Sequence, residues 1–335
     1  MIRFGMCGCG GFIEKAVLPM MLRSGKAMPV AAYDANAAAR DRVADAFGIA
    51  HRCATYEELL ADPDVDVVYV ASPNAFHCDQ TVRAAAAGKH VFCQKPMGMD
   101  AAECERMVRA CDDAGVRLGM GFCYRFQGAQ EEAKRRIGDG TLGAVTRLDL
   151  SFNLGGYNPR TAGWRCDAKL AGGGPLMDLA PHLVDLAAWL LDDTVVSVMA
   201  YVDPERTADA IELDACATLL FSRGARASLD VSFVRGNMHN YAIVGRTGQL
   251  RAVGTMCWNN ELPGIGKGRL LLEKEMGSEP VPFETEEHLE KEMRLFCEAL
   301  EAGRPVPVSG RDGLAAQRVI DAIYESGRTG RRVDL

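Results

Sequence analysis

Residues 2–11 read IRFGMCGCGG, a short apolar strand that runs directly into a glycine-rich turn. The turn, Gly8-Cys9-Gly10-Gly11, precedes a segment that is predicted to be helical. Glycine at Gly8 permits a tight turn, and glycine at Gly10 lets backbone N–H groups approach a phosphate at the start of a helix. This arrangement is the context that a dinucleotide-binding fingerprint requires, and an ordinary βα turn is the alternative.

The first 123 residues alternate apolar strands with helices. Strands are predicted at 2–7, 29–33, 66–71, 90–93 and 116–120, with helices at 37–47, 81–87 and 101–114. Continuous apolar strands separated by helices predict a parallel sheet that is covered on both faces. We therefore expect an α/β fold whose N-terminal domain is a doubly wound, Rossmann-type sheet spanning residues 1–123.

The pattern changes after Tyr124. Leu148, Leu150 and Phe152 alternate with polar residues, and the same period of two recurs at 229–233. This alternation predicts a large, open, mostly antiparallel sheet with one more polar face. Helices are predicted at 178–191, 286–300 and 312–326, so residues 124–335 are predicted to form a second, α+β domain.

The composition restricts the class of protein. The 335 residues carry a formal charge of -7 and contain no long basic run, which argues against a nucleic-acid partner. No apolar run reaches the roughly 18 residues of a membrane span, and the N-terminus lacks a signal-peptide layout. The twelve cysteines are scattered singly, so we expect no metal site, no disulfide framework and a reduced, cytoplasmic setting.

Asp34 ends the second predicted strand, 24 residues after Gly10. A carboxylate at this offset accepts hydrogen bonds from the hydroxyls of an adenosine ribose and repels a 2′-phosphate, which favours NAD over NADP. A helix cap is the alternative role, although Asn36 could supply it. The third glycine position of the fingerprint is occupied by Ile13, and Pro19 is expected to interrupt the helix early.

Two further strand ends carry polar residues. Ser72-Pro73-Asn74 follows the third strand, at the edge where open α/β sheets bind ligands, although a simple turn is the alternative. His77 is interpreted as a structural or helix-start residue near the cofactor. Lys95 follows the fourth strand and precedes a proline, which suits it to donate to or exchange a proton with a substrate oxygen; a surface lysine is the alternative.

Asp178 and His182 are four residues apart in the stretch GGGPLMDLAPH. On one helical turn the two side chains share a face, so the carboxylate could orient the imidazole. Because of Pro181, either the helix is kinked there or Asp178 caps a helix with Pro181 in its first turn. A capping Asp and a buried His are the alternative. The pairs Tyr124-Arg125 and Trp164-Arg165 could contact substrate hydroxyls, with stacking or a salt bridge as the competing explanation.

Together these residues resemble the Gfo/Idh/MocA family, named for glucose-fructose oxidoreductase, inositol dehydrogenase and a rhizopine-catabolism protein. The resemblance runs over nearly the whole chain and includes the stretches DVVYVASPNAFH, AGKHVFCQKP, GFCYRF, GWRCD and AGGGPLMDLAPHLVDLAAWLL. It implies a homodimer or homotetramer that moves a hydride between nicotinamide and a sugar or polyol. His182 would exchange the proton, Lys95 would polarise the oxygen and Asp178 would position His182 or the substrate.

The residues expected around the cofactor are Gly8, Cys9, Gly10, Gly11, Phe12, Ile13, Asp34, Ser72, Asn74, His77, Gln94 and Lys95. Gln94 is a departure, because the family usually has Glu-Lys-Pro, and it leaves any role of that carboxylate open. Two other functions are considered: a cofactor- or sugar-sensing regulator of the same fold, and an NAD-dependent glycosidase that recycles its cofactor. The sequence does not name the sugar, the carbon that reacts or the physiological direction.

Overall fold

The structure is a computed structural model that describes residues 1–155, 163–256, 268–275 and 277–335. The chain divides into two compact units. The first contains Met1–Cys123 and Glu287–Leu314, and the second contains Tyr124–Glu286 and Ala315–Leu335. Residues 287–314, which we assigned from the sequence to the second domain, therefore pack with the first unit.

The helices and strands are numbered in chain order. The helices are α1 Leu18–Arg23, α2 Ala37–Phe47, α3 Tyr56–Ala61, α4 His77–Ala86, α5 Ala101–Asp113, α6 Gly128–Gly138, α7 Ala168–Ala171, α8 Pro175–Asp178, α9 Ala180–Leu191, α10 His288–Glu301 and α11 Gly310–Thr329. The strands are β1 Ile2–Cys7, β2 Ala27–Tyr33, β3 His51–Arg52, β4 Val67–Val70, β5 His90–Cys93, β6 Leu118–Met120, β7 Val145–Asn153, β8 Val195–Asp203, β9 Asp214–Phe221, β10 Arg226–Ser232, β11 Met238–Gly245, β12 Gln249–Val253, β13 Arg269–Lys274, β14 Gly277–Val281 and β15 Val333–Asp334.

The sheet of the first unit has six strands in the order β3-β2-β1-β4-β5-β6. Every neighbouring pair is parallel. This is the strand order of a doubly wound dinucleotide-binding sheet, with the reversal of order between β1 and β4. The predicted parallel α/β class is confirmed.

Helix α10 joins the first unit through its apolar stripe. Met293 and Phe296 are buried with Phe4 and Phe92 in one core cluster. The Phe296 ring meets the Phe92 ring edge-on with centroids 5.0 Å apart, and the Phe92 ring stacks on Tyr69 at 5.0 Å. Beyond this helix, the N–H of Met120 donates to the carbonyl of Val308 at 3.1 Å, so the returning chain also pairs with β6.

The sheet of the second unit has nine strands in the order β14-β13-β12-β11-β7-β10-β9-β8-β15. Among the described strands of this second sheet, β10 and β7 pair in parallel and all other neighbours are antiparallel. This confirms the prediction of a large, mostly antiparallel sheet. Burial alternates along its strands, as in β9, where Ala215, Ala217 and Leu219 are buried and Cys216 and Thr218 are exposed. One face of the sheet is therefore packed and the other is open.

Helix α9 is the most apolar helix of the second unit and is buried along most of its length. Because it is apolar on several sides, it is suited to a core position and holds its first turn in place. In the described ranges, no helix combines the length and mean hydropathy that crossing a bilayer requires.

Candidate active site

The glycine turn follows β1 and packs against the end of β4. Gly8 has a φ of +103°, and a Cβ there would lie 2.6 Å from the carbonyl oxygen of Ala71. A side chain is therefore excluded at Gly8 both by conformation and by space. Gly10 and Gly11 are exposed, and a Cβ on either would have no atom within 4 Å. Their backbone is thus open to a ligand at this edge of the sheet.

The carboxylate of Asp34 lies against the same turn. It accepts a hydrogen bond from the N–H of Cys9 at 2.7 Å and another from the N–H of Asn36 at 2.7 Å. Asn36, not Asp34, caps α2, because its side chain accepts from the N–H groups of Ala38 and Ala39. The alternative role of Asp34 as a helix cap is therefore not what the structure shows.

Two of the residues expected around the cofactor turn their side chains inward. Cys9 and Ile13 are 0% and 2% exposed and belong to the core cluster of the first unit. The N–H of Cys9 is also taken by Asp34. Cys9 can therefore contact a dinucleotide only through backbone atoms other than its N–H, and Ile13 only through its backbone. Phe12 beside them is half-buried.

The helix after the turn is not interrupted at Pro19, contrary to our expectation. A π-helical turn at Ile13–Val17 leads into α1, and the N–H of Leu18 donates to the carbonyl of Ile13, five residues back. Proline lacks an N–H and crowds the preceding turn, and the wider π-helical turn just before Pro19 accommodates it within the helical segment. The helical segment therefore reaches Arg23.

His77 connects two loops at the carboxyl edge of the sheet. Its Nε2 lies 2.9 Å from the carbonyl oxygen of Ser72, and its Nδ1 lies 2.9 Å from that of Pro96. The ring is 1% exposed, and burial lowers the pKa of His77. His77 thus ties the Ser72 loop to the loop that carries Lys95, so we no longer expect its side chain to contact the cofactor directly.

The remaining polar residues of these loops differ in burial. Lys95 is half-buried and is joined to Pro96 by a cis peptide bond. Asn74 is 5% exposed and begins a 3-10 turn, and the Ser72 hydroxyl donates to the side-chain oxygen of Gln80 at 2.6 Å. Ser72 and Lys95 follow β4 and β5, so their loops lie at one edge of the parallel sheet.

The side chain of Gln94 faces the interior of the first unit. Its amide donates to the hydroxyl of Tyr69, a residue whose pKa is raised well above its ordinary value by burial. A Cβ on Gly121 would lie 2.8 Å from the Gln94 amide, so this amide is enclosed on both sides. Gln94 consequently ties the start of this loop to Tyr69 on β4, and its predicted contact with the cofactor stays a prediction.

In the second unit, Asp178 ends the single turn of α8, and His182 lies in the first turn of α9. Leu179 between them keeps right-handed helical dihedral angles, φ −106° and ψ −43°. Pro181 explains the break, since a proline ring displaces the carbonyl four residues back. The structure thus shows the first alternative, a helix interrupted at Pro181, which lies in the first turn of the second piece. Asp178 does not cap that piece, because its N-cap is Leu179 and no side chain accepts there.

His182 is 8% exposed and packs against Tyr124, with ring centroids 4.6 Å apart. The Tyr124 hydroxyl donates to the carbonyl of Met256 at 3.2 Å. Asp178 is half-buried, four residues before His182 on a nearly continuous helical stretch. Residues at this spacing share a face on an uninterrupted helix, and the predicted contact between the Asp178 carboxylate and the His182 imidazole stays a prediction.

Arg125 forms a buried ion pair with Asp185. Its Nε lies 2.8 Å from one carboxylate oxygen of Asp185, and its terminal nitrogen bonds to the other. The side chains are only 12% and 3% exposed. Because Asp185 follows His182 by three residues on α9, this bidentate pair fixes the helix that carries the histidine. The salt bridge considered for Arg125 is therefore present, and its predicted contact with substrate hydroxyls stays a prediction.

Trp164 and Arg165 lie on a 3-10 turn, Gly163–Cys166. The Arg165 guanidinium lies 4.7 Å from the Trp164 ring centroid, and the arginine is exposed. The two side chains therefore stack on each other. Their predicted contact with substrate hydroxyls stays a prediction.

His239, which the sequence analysis did not single out, extends the row of ring contacts that begins with His182 and Tyr124. Tyr124 packs on Phe152 at 6.0 Å, and Phe152 packs on His239 at 4.8 Å. Burial lowers the pKa of His239. His239 lies near the start of β11, and no local sequence pattern marks it.

The described residues contain one group with the spacing of metal ligands: His51, Asp62 and Asp64. His51 Nδ1 is 2.5 Å from Asp62, and Asp64 accepts from the Arg3 guanidinium at 2.6 Å. These charges are balanced by one another. The group lies at the amino end of β4, away from the turn that follows β1.

The residues of the first unit fit a dinucleotide. Exposed glycines at positions 10 and 11 leave backbone accessible at the start of a helix, and the Asp34 carboxylate lies at the end of the neighbouring strand β2. Helix N-termini favour phosphate through their free N–H groups, and an acidic group there suits ribose hydroxyls. Lys95 belongs to the first unit and His182 to the second, and their meeting beside the cofactor stays a prediction.

Comparison with protein families agrees with this architecture. The model described as "Oxidoreductase family, NAD-binding Rossmann fold" matches residues 2–122, and the GFO/IDH/MocA C-terminal domain matches residues 131–251. The chain belongs to the Gfo/Idh/MocA oxidoreductase family. It is an oxidoreductase with an NAD(P)-binding Rossmann domain, which confirms the resemblance and the enzyme class inferred from the sequence.

Relatives align over the whole chain. It is 32% identical to D-xylose 1-dehydrogenase (NADP(+)) 2 of Haloferax volcanii, with 99% of each chain covered. It is 27% identical to inositol 2-dehydrogenase of Rhizobium meliloti, with 100% of this chain and 99% of the relative covered. The solved structure of aldose-aldose oxidoreductase from Caulobacter crescentus, complexed with glycerol, superposes with a TM-score of 0.90 at 29% identity, covering 100% and 99% of the two chains.

Proposed function

We propose that this protein is a dehydrogenase or reductase that moves a hydride between a nicotinamide cofactor and a sugar or polyol. The observation that carries the proposal is the position of Lys95. It follows β5 at the carboxyl edge of the parallel sheet, the same edge at which residues 8–11 follow β1. Ligands of open α/β sheets bind at this edge. The names of the relatives, which are sugar and inositol dehydrogenases, support the substrate class.

The three predicted catalytic residues divide the work on one carbinol group. Bound nicotinamide supplies the hydride acceptor for oxidation and the hydride donor for reduction. In the oxidation, His182 takes the hydroxyl proton as general base, and Lys95 donates a hydrogen bond to the same oxygen. Asp178 holds the imidazole in the tautomer that accepts this proton. In the reduction, His182 returns the proton to the carbonyl oxygen.

We propose NAD as the preferred cofactor on the evidence of Asp34. Its carboxylate lies against the glycine turn through the N–H of Cys9. A negative charge at this place accepts from ribose hydroxyls and repels a 2′-phosphate. The name of the Haloferax volcanii relative specifies NADP(+), so a preference for NAD would distinguish this chain from that relative.

The test is a screen of reduced cofactor formation across aldoses, inositols and sugar phosphates, with NAD⁺ and NADP⁺ run in parallel. Lys95→Met removes the ammonium and should lower kcat on the active sugar by about 10²-fold while cofactor binding stays normal. Lys89→Met is the matched control, because Lys89 precedes the same strand β5 at its other end. Lys89 donates to the carbonyls of Asp62 and Val65, both at 2.8 Å, so its loss should affect stability and not turnover.

Each alternative function predicts a different outcome. A sensing regulator would bind cofactor and sugar without turnover on any member of the panel. An NAD-dependent glycosidase would release aglycone from glycosides without net NADH formation. Turnover that Lys95→Met leaves unchanged would contradict the assigned role of Lys95.

We also propose that the chain forms a homodimer or homotetramer through the open face of the large sheet. Met199 and Tyr201 lie on β8 and are 48% and 67% exposed, which is unusual for large apolar side chains on one strand. A second copy that covers this face would bury them. Light scattering should show more than one chain per particle, and Tyr201→Glu should dissociate it. A monomeric wild-type protein would contradict the proposal.

We propose a cytoplasmic setting, which is supported by buried free thiols such as Cys7 and Cys93. Fractionation of the producing cells tests it directly.

A further inference from the structure

The glycine run before Asp178 is held by a buried carboxylate from another part of the second unit. Oε1 of Glu212 accepts the N–H of Gly174 at 2.9 Å and the N–H of Leu176 at 2.9 Å. The same oxygen accepts the hydroxyl of Tyr324 at 2.9 Å. One carboxylate oxygen thus satisfies the first backbone donors of the turn that ends in Asp178.

The glycines allow this close approach. A Cβ on Gly174 would lie 1.9 Å from the carbonyl oxygen of Glu212, and a Cβ on Gly173 would lie 2.0 Å from the Tyr324 hydroxyl. Neither distance leaves room for a side chain. The residues on both sides of the contact are therefore matched to each other.

A third side chain holds the beginning of the run. The Arg206 guanidinium lies 3.9 Å from the centroid of the Tyr324 ring and donates to the carbonyl of Gly172. Gly172 ends α7, so Arg206 fixes the point where the chain leaves that helix. Arg206, Glu212 and Tyr324, which we call the turn brace, hold the run at both of its ends.

The position of Glu212 is costly for folding. The residue is 0% exposed, and its Oε2 is buried without a hydrogen-bond partner among the described residues. Burial raises the pKa of Glu212, against the opposing effect of the N–H groups of Gly174 and Leu176. A buried polar atom left unpaired opposes folding, so the contribution of this carboxylate lies in what its other oxygen holds.

We infer that Glu212 is a positioning residue, which sets the orientation of Asp178 and His182 by fixing the backbone turn in front of them. The turn transmits this directly, because the N–H of Asp178 donates to the carbonyl of Gly174 at 2.9 Å. Glu212 orients the turn, and the turn orients Asp178. Leu179, whose dihedral angles stay helical, then leads directly into the turn of α9 that carries His182. The kinetic part of this inference rests on the proposed function.

The experiment compares Glu212→Ala with Glu212→Gln. The alanine variant loses the acceptor, and kcat should fall about 10- to 100-fold because the catalytic groups are displaced, while the Kd of NADH stays unchanged. The glutamine variant keeps a carbonyl oxygen for the same three donors, so its kcat should remain within about threefold of wild type. Equal losses in both variants, or an unchanged kcat in a folded Glu212→Ala protein, would overturn the inference.

Asp193→Ala is the matched control. Asp193 is also a buried carboxylate of the second unit, and it accepts the N–H groups of Thr194 and Arg223 at 2.8 and 3.0 Å. Its hydrogen bonds lie after the far end of α9, so Asp193→Ala should lower stability and leave kcat unchanged. A fall in kcat as large as that of Glu212→Ala would show that general destabilisation explains both.

Hydrogen exchange supplies a readout that does not depend on turnover. Glu212→Ala should accelerate exchange of the backbone amides in residues 172–186, and Glu212→Gln and Asp193→Ala should not. If Glu212→Ala does not fold, Tyr324→Phe removes one of the three donors and should accelerate the same amides more weakly. Unaltered exchange in the folded variants refutes the turn brace.

The two assignments can fail separately. Wild-type turnover in His182→Asn would refute the catalytic assignment within the proposed function. Unchanged exchange at 172–186 in Glu212→Ala would refute the role of Glu212 whatever His182 does.

Discussion

The carboxylate of Asp34 accepts a hydrogen bond from the backbone N–H of Cys9, at 2.7 Å. This bond joins the end of β2 to the turn after β1, and it keeps a negative charge beside backbone that is open at residues 10 and 11. The same carboxylate that accepts hydrogen bonds from the ribose hydroxyls repels the 2′-phosphate of NADP. Cofactor preference should therefore depend on this one side chain.

Asp34→Ser should reduce the preference for NAD⁺ over NADP⁺. Hydrogen bonds to a charged group contribute about 1.5–3 kcal/mol, so the ratio of kcat/KM for the two cofactors should fall by about tenfold or more. Steady-state kinetics with both cofactors measures the ratio. Asp66→Asn is the control, because Asp66 accepts the N–H of Arg3 at 2.9 Å at the amino edge of the same sheet. An equal change in the Asp66 variant would contradict the assignment.

Gly8→Ala and Gly10→Ala should separate folding from cofactor binding. A Cβ at Gly8 meets the Ala71 carbonyl at 2.6 Å on a backbone with φ +103°, so Gly8→Ala should destabilise the protein by more than about 1 kcal/mol. Gly10→Ala adds its methyl group to open space and should melt like wild type. That methyl group nevertheless obstructs a phosphate, so the Kd of NADH should rise. Thermal unfolding and fluorescence titration measure the two effects, and normal NADH affinity in Gly10→Ala would contradict them.

His77 should give the protein a component of acid sensitivity. Its pKa is lowered in the folded state by burial, so between that value and about 6.5 the unfolded chain binds more protons. The stability it contributes is present above about pH 6.5 and is lost as the pH falls. The melting temperature of wild type should consequently drop more steeply on acidification than that of His77→Phe.

The control for His77 has the opposite sign. The hydrogen bond to Asp62 raises the pKa of His51, so the stability that His51 contributes is lost as the pH rises through its folded-state value. His51→Gln should therefore flatten the alkaline side of the same profile and leave the acid side unchanged. Parallel acid slopes in wild type and His77→Phe would refute the prediction.

The ion pair between Arg125 and Asp185 should be strongly coupled. Arg125→Met leaves the Asp185 carboxylate buried without its partner, and such a loss destabilises by about 3–5 kcal/mol. Asp185→Leu in the same protein removes the stranded charge and should recover much of that loss. Denaturant unfolding of both single variants and the double variant gives the coupling free energy, and additive effects would contradict the coupling.

The parallel sheet could be predicted because most of its strands are continuous apolar runs, which indicate buried strands from the local sequence alone. Strand β3 could not, since it consists of His51 and Arg52, both exposed. Helix α10 was predicted, at 286–300, but its apolar stripe shows only that one face is buried. It does not say which core it covers, and Phe92 and Phe296 are far apart in sequence.

The same limit applies to the candidate site. The types and spacing of Lys95, Asp178 and His182 are visible in local motifs. The orientation of Gln94 and Arg125 could not be predicted from local motifs, because their partners, Tyr69 and Asp185, are 25 and 60 residues away. Glu212, 38 residues from Gly174, was missed for the same reason.

The return of residues 287–314 to the first unit has a consequence for biosynthesis. The Phe296 ring lies 6.3 Å from that of Phe4 and 5.0 Å from that of Phe92, so the nucleotide-binding half lacks part of its interior until the late residues arrive. A ribosome has to translate Tyr124–Glu286, most of the second unit, before that half can close. Nascent chains stalled before residue 287 would carry an incompletely covered sheet, a surface that chaperones recognise.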